Sequence, residues 1–148
     1  MLKISAVIIT HNEERNIERC ILSLRDVADE IVIFDSYSTD KTKEICSKYP
    51  VKFYQKEWMG YSSTKNFANQ TASYNYILSL DADEVLSSKL KEEIIKIKKS
   101  DTVLDSYTFN RLTNYCGNWI HHSGWYPDKK LRLWNKQKGR WEGEIHEK

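Results

Sequence analysis

The chain has 148 residues, 30% of them charged and 40% apolar, with a formal net charge of +2. That length suffices for one domain with its own core, and the charge is too small to argue for nucleic acid as a partner. No segment approaches the roughly 20 apolar residues of a membrane-spanning helix, and the N-terminal run MLKISAVIITHNEE is too short in apolar residues for a signal peptide. Cys20, Cys46 and Cys116 are far apart and odd in number, with no C-x-x-C or His/Cys spacing that suggests zinc. Cys20 and Cys46 fall on apolar helix positions, so they are expected to be core thiols in a reducing, cytosolic compartment.

In chain order, Ile4 to Ile9 predict a first strand rich in Ile and Val. Thr10-His11-Asn12-Glu13 then leads into a helix whose Ile17, Cys20, Ile21 and Leu24 follow the i, i+3, i+4, i+7 pattern. Glu30 to Phe34 predict a second strand, closed by Asp35. Asp40 is placed to cap a helix carrying Ile45, Cys46 and Tyr49, which Pro50 stops. Val51 to Tyr54 predict a short third strand and Gly60 to Thr71 a further helix. Tyr76 to Val85, YILSLDADEV, is an apolar run that ends in two carboxylates one residue apart, Asp81 and Asp83. Ser87 or Ser88 caps a helix with Leu90, Ile94 and Ile97 on its inner face. This alternation predicts an α/β fold, a mostly parallel sheet with helices on both faces. After Ser100 the texture changes. Tyr107, Phe109, Leu112, Tyr115, Trp119, Ile120, Trp125, Tyr126, Trp134 and Trp141 are scattered without a helical period, which predicts strands and long loops over one end of the sheet. The whole reads as a single domain, 1–148, with residues 1–100 and 101–148 as its two halves.

In open α/β sheets, ligands bind beyond the carboxyl ends of the strands. Here those ends carry Thr10-His11-Asn12-Glu13, Asp35-Ser36-Tyr37-Ser38-Thr39-Asp40 and Asp81-Ala82-Asp83-Glu84. Asp81 and Asp83 repel each other unless a cation or hydrogen-bond donors compensate. Hard oxygens at this spacing suit Mg²⁺ or Mn²⁺, which commonly share their coordination with substrate phosphates. Bland readings stand beside each of these. Asp83 and Glu84 can simply begin a turn, Thr10 and Glu13 match a capping box, and Lys65 and Asn66 can be surface residues of their helix. The basic stretch Lys129, Lys130, Arg132, Lys136, Lys138 and Arg140 can be a solvated face, or can meet a phosphorylated sugar or anionic lipid. Neither G-x-G-x-x-G nor G-x-x-x-x-G-K-S/T occurs, which disfavours nicotinamide and P-loop chemistry. A metal held by the D-x-D pair would neutralise a diphosphate without a glycine loop.

Taken together, ISAVIITHNEERNIERCI, FDSYSTDKT, GYSSTKNFA and ILSLDADE resemble, in order and spacing, the inverting family 2 glycosyltransferases of the GT-A fold. The tail, YPDKKLRLWN…RWEGEIHEK, is similar to the branch containing lipopolysaccharide-core β-glucosyltransferases. The resemblance implies a nucleotide-sugar-binding half followed by the start of an acceptor-side region. It implies that Thr10, His11, Asn12 and Glu13 hold the base and ribose of the donor, that Asp35 bonds the uracil edge of a UDP-sugar, and that Lys65 lies near the diphosphate. Asp81 would face the ribose or the metal, and Asp83 would bind Mn²⁺ or Mg²⁺, with His146 completing the metal site. Glu147 is the implied general base, with Asp128 and Glu142 as alternatives, taking the proton of a hydroxyl on a saccharide or lipid-linked saccharide acceptor. The implied setting is cell-envelope synthesis, in the cytosol or peripherally at the inner membrane face.

Two departures accompany the resemblance. Tyr37 stands where relatives often carry a small residue. The chain also ends directly after His146-Glu147, where relatives continue, so it is expected to be a fragment of a longer enzyme. Asp81-Ala82-Asp83-Glu84-Val85 also satisfies the D-x-D-x-V of haloacid-dehalogenase phosphatases, but the residues that follow lack the second α/β half of that class. The remaining rival is a non-catalytic sugar-nucleotide or glycan-binding domain of the same fold.

Overall fold

The computed structural model describes residues 1–110, 114–115, 118–119 and 130–137. Four strands and four helices alternate through the first hundred residues: β1 (Ile4–Thr10), α1 (Ile17–Leu24), β2 (Glu30–Asp35), α2 (Thr42–Cys46), β3 (Lys52–Gln55), α3 (Tyr61–Thr71), β4 (Tyr76–Asp81) and α4 (Ser88–Lys99). β5 (Ser106–Asn110), β6 (Asn114–Tyr115), β7 (Asn118–Trp119) and β8 (Lys130–Asn135) follow. The main sheet runs in the order β3-β2-β1-β4-β8-β5. β3, β2, β1 and β4 are parallel, whereas β8 pairs antiparallel with both β4 and β5. The change of texture at Ser100 is therefore a change from parallel to antiparallel pairing within one sheet, and β6 and β7 form a separate small ribbon.

Period-two alternation distributes the strand residues over two cores. Ile4, Ala6 and Ile8 of β1, Ile31 and Ile33 of β2, and Leu78 and Leu80 of β4 face α1 and α4, packing with Ile17, Ile21, Leu24, Leu90 and Ile94. Val7, Val32, Phe34 and Ile77 point the other way and pack against Ala68 of α3 and Ala72 just after it, with Trp134 of β8 beside them. Both Cys20 and Cys46 are buried free thiols, as their helix positions predict. Burial raises both, Cys46 to about 12 with the charge of Asp35 adding to the effect.

The helix ends depart from expectation in one place. Ser87 caps α4, its Oγ accepting from the Leu90 N–H at 3.1 Å. α2 stops at Cys46, short of Tyr49, and its formal cap is Lys41. Asp40 still contributes, since its Oδ1 accepts from the Thr42 N–H at 2.9 Å and from the Thr42 Oγ1 at 2.6 Å. Gly60 precedes α3 at φ 94°, a value open to glycine and strained for other residues.

Because β2 and β3 continue from β1 in one direction and β4 lies on its other side, the chain reverses its strand order between β1 and β4. The crevice above such a reversal is where open α/β sheets bind ligands.

Candidate active site

The end of β1 is stitched to the end of β2 by short polar residues. Thr10 and Asp35 are register partners, and the Thr10 hydroxyl donates to Asp35 Oδ1 at 2.6 Å. The same carboxylate accepts from the Ser38 hydroxyl at 2.5 Å and from the Ser38 N–H at 2.8 Å. Asp35 is wholly buried, yet donors surround its charge. The capping-box expectation for Thr10 and Glu13 fails because Thr10 belongs to β1 and spends its hydroxyl on Asp35, while α1 begins only at Ile17.

The two loops beyond these strands are also zipped together. His11 Nδ1 lies 2.8 Å from the Ser36 carbonyl, which can only accept, so Nδ1 carries a proton there. The Asn12 N–H donates to Ser38 Oγ at 2.7 Å, and Asn12 Oδ1 accepts from the Thr39 N–H at 2.7 Å. Asn12 itself sits at φ 53°, a conformation asparagine tolerates better than most. The Glu13 N–H donates to Thr42 Oγ1 at 2.9 Å.

β4 ends in a tight turn. The Glu84 N–H donates to the Asp81 carbonyl at 3.0 Å, and Glu84 Oε1 accepts from the Asp81 N–H at 2.7 Å. Glu84 is fully buried beneath the turn. The Cys20 thiol approaches the Asp81 carbonyl from α1 at 3.7 Å. The turn reading of D-x-D holds, since Asp83 and Glu84 begin a turn, and that turn places Asp81 and Asp83 along the crevice. From the opposite face comes Lys65 of α3. It is no surface residue but 5% exposed, with Nζ 3.2 Å from Ser79 Oγ and 3.8 Å from Asp81 Oδ1. Ser79 is available because alternation along β4 turns it toward α3.

These elements enclose a pocket of about 700 Å³. Ile9, Thr10, His11 and Glu13 line it from the β1 end, Asp81, Ala82 and Asp83 from the β4 end, and Lys65 from α3. Ser36 and Tyr37 after β2, with Glu57 and Trp58 after β3, close the remaining side. Burial raises the Glu13 carboxyl above its ordinary range; a hydrogen bond from Asn16 opposes this, and Asp83, Asp81 and Asp40 reinforce it. The pocket thus has two sides, one with Asp81, Asp83 and buried Lys65 and one with Tyr37, Glu57 and Trp58.

Of the residues singled out in the sequence, Thr10, His11, Glu13, Lys65, Asp81 and Asp83 converge on this pocket. Asn12 and Asp35 stand behind its wall and hold the loops that form it. Asp128, Glu142, His146 and Glu147 lie outside the described residues. Glu84 was legible in the sequence only as a turn residue, although an acid three positions after Asp81 is the spacing that closes such a turn. Glu57 and Trp58 fall in an aperiodic stretch that offers no signal. In the basic stretch, Lys136 has a structural task, its Nζ donating to the Asn69 and Ala72 carbonyls at the end of α3.

The donor set fits a hard divalent ion. Asp81 and Asp83 offer carboxylate oxygens at one end of the pocket, and among the described residues no third His, Cys, Asp or Glu joins them as a metal cluster. Two carboxylates with open positions suit an ion that takes its remaining ligands from water and phosphates.

A family model described as Glycosyl transferase family 2 matches residues 5–146. The chain belongs to this family. It is 33% identical to the lipopolysaccharide core biosynthesis glycosyltransferase LpsC of Rhizobium meliloti, over 99% of this chain and 56% of LpsC. Among solved structures, S. aureus TarS 1–349 matches with a TM-score of 0.64 at 22% identity, over 91% of this chain and 47% of that one. The same TarS portion is also solved with UDP and with UDP-GlcNAc. Glucosyl-3-phosphoglycerate synthase of Mycobacterium tuberculosis, solved with Mn²⁺ and UDP, matches with a TM-score of 0.51 at 23% identity, over 57% of this chain and 34% of that one. The likeness establishes the GT-A arrangement of this family 2 chain, which spans about half the length of relatives such as LpsC. No helix among the described residues is long and apolar enough to cross a membrane.

Proposed function

We propose that this chain is the donor-binding part of a metal-dependent, inverting glycosyltransferase that moves a sugar from a UDP-sugar to a saccharide acceptor during bacterial envelope synthesis. The observation that carries the reading is the convergence of Asp81, Asp83 and buried Lys65 in one pocket at the strand-order reversal. The pocket's size is in the range of small-molecule sites. Its acidic end would hold Mn²⁺ or Mg²⁺ through Asp83, with Asp81 beside it and His146 as a further ligand. The bound ion supplies a positive centre that stabilises negative charge on the departing diphosphate.

The residues of the chain do the rest. Lys65 lies against Asp81 at the base of the pocket, where it also faces an incoming diphosphate. Thr10, His11 and Glu13 line the floor under the nucleoside, and Asp35 keeps the β1 and β2 loops in place around the base. Inversion requires a carboxylate on the acceptor side, opposite the leaving group, to take the hydroxyl proton. Glu147 is assigned that role, with Asp128 and Glu142 as the alternatives. The enzyme acts in the cytosol or at the inner face of the membrane, on a saccharide or lipid-linked saccharide.

A melting experiment with nucleoside diphosphates and Mn²⁺ tests the reading. A ligand that binds only the folded chain stabilises it by about 2.7 kcal/mol at a hundredfold excess over Kd. UDP with Mn²⁺ is expected to raise the melting temperature, whereas indifference to UDP, GDP and ADP alike would remove the donor site. In a chain extended to the length of its relatives, Glu147→Gln should stop turnover and spare UDP binding. Retained turnover would move the base to Asp128 or Glu142.

A further inference from the structure

Tyr37 occupies an unfavourable place for its type. Its φ is 51°, in the left-handed region that glycine adopts freely and an aromatic residue does not. Its neighbours impose this conformation: the Ser36 carbonyl is held by His11, Ser38 by Asp35 and Asn12, and Thr39 by Asn12. With both sides pinned, residue 37 has no other way to turn. Among the described residues its side chain makes no hydrogen bond, ion pair or ring contact, and 54% of the residue is exposed. Tyr37 nevertheless lines the pocket, as does Trp58, 53% exposed, from the next strand end.

The strand order locates these rings relative to the carboxylates. Tyr37 follows β2 and Trp58 follows β3, whereas Asp81 and Asp83 follow β4. At roughly 4.8 Å per strand, two to three spacings separate the aromatic end from the acidic end by about 10–14 Å. A diphosphate at the acidic end places its transferred sugar near the carboxylates and its nucleobase at the far end.

We propose that Tyr37, with Trp58, forms an aromatic wall that stacks on the base of the donor nucleotide, so that Tyr37 is a specificity- and affinity-determining residue. The inference rests on the donor reading above. Stacking between a base and an aromatic side chain is large enough to justify a strained backbone position, and it acts through the ring face with no demand on the hydroxyl.

Titration of the chain with UDP, UDP-glucose and pyrophosphate, each with Mn²⁺, tests this. Tyr37→Gly should weaken UDP and UDP-glucose about tenfold, at the lower end of the stacking range, and leave pyrophosphate unchanged. Glycine suits the backbone at this position, so the melting temperature should not fall. Tyr37→Phe should bind UDP like the parent, and Trp58→Ala should reproduce the loss. Unchanged UDP affinity in Tyr37→Gly would overturn the proposal, as would an equal loss for pyrophosphate, which has no base. A loss confined to UDP-glucose would also overturn it, by moving the ring to the sugar. Failure of the parent chain to bind any of the three ligands would instead sink the donor reading, and the wall with it.

Discussion

The two edges of the parallel sheet are both rich in charge, and they treat it in opposite ways. At the N-terminal edge every carboxylate in the cluster has a cation or several donors. Asp29 Oδ2 accepts from Lys98 Nζ at 2.8 Å and from the Ile4 N–H at 2.9 Å. Glu30 meets Lys52 at 2.5 Å and also accepts from Ser5 and Ser73. Burial pushes both carboxyls up, but these partners outweigh it and hold them low, Glu30 at about 2. At the C-terminal edge, Glu13, Asp81 and Asp83 face one pocket, and burial with mutual repulsion raises Glu13. Charges gathered to stabilise a fold are paired within it. Carboxylates gathered on one open pocket, with Lys65 beside Asp81, suit something that arrives from solution.

Substitutions at the two edges should therefore break different things. The largest effect is expected from Asp83→Ala, which should remove Mn²⁺-dependent UDP binding altogether while leaving the melting temperature within a degree or two of the parent. Calorimetry and a thermal melt on the same sample check both halves, and unchanged affinity would take Asp83 out of the metal site. Lys98→Met should do the reverse. It leaves Asp29 with a single donor and costs about 3 kcal/mol of stability, the low end for a broken buried pair because Asp29 is partly exposed. Urea unfolding measures the loss, and UDP affinity should not change.

Lys65→Met comes next. It should weaken UDP by about tenfold, consistent with loss of one charge-assisted hydrogen bond. Retained affinity would confine Lys65 to its contacts with Ser79 and Asp81.

The smallest effects are the most diagnostic, because they differ in sign. The Glu30 carboxyl is lower in the fold than its ordinary 4.5, so its stabilisation is present above that pH and is lost as the pH falls toward 2. Glu30→Gln should destabilise the chain at pH 7 by on the order of 2 kcal/mol and flatten the acid limb of its stability profile. The Glu13 carboxyl is raised, so its cost is absent at low pH and complete once the pH exceeds its folded value. Glu13→Gln should raise stability at pH 7 by no more than about 1 kcal/mol and change nothing at pH 3. Chemical denaturation across pH 3–7 compares the two, and a loss of stability at both sites would erase the contrast between the edges.

Much of this contrast is legible in the sequence. Alternating apolar runs and amphipathic helices define the parallel half, and short polar residues at three strand ends mark the edge that carries the pocket. The D-x-D pair stands out because an apolar strand has no use for two carboxylates one residue apart at its end. What escaped was lateral in character. Thr10 bonding Asp35 across two strands cannot be distinguished from a capping box by spacing alone. Lys65 reads as a surface residue until the α3 face against β4 is known, and α3 presents a weak apolar pattern because Thr64, Lys65 and Asn69 are buried with it. Trp58 gives no period to follow, since it belongs to a loop whose position depends on β3 and Gly60. The antiparallel pairing of β8 between β4 and β5 joins residues far apart in sequence, which no local pattern encodes.

The central claim is that the carboxylates gathered at the C-terminal edge serve a metal-bound nucleotide. Calorimetric titration of UDP into the chain with Mn²⁺, repeated after chelation with EDTA, tests it most directly. Saturable binding that disappears on chelation is the predicted result. UDP affinity unaltered by EDTA, or an absence of binding in the presence of Mn²⁺, would contradict it.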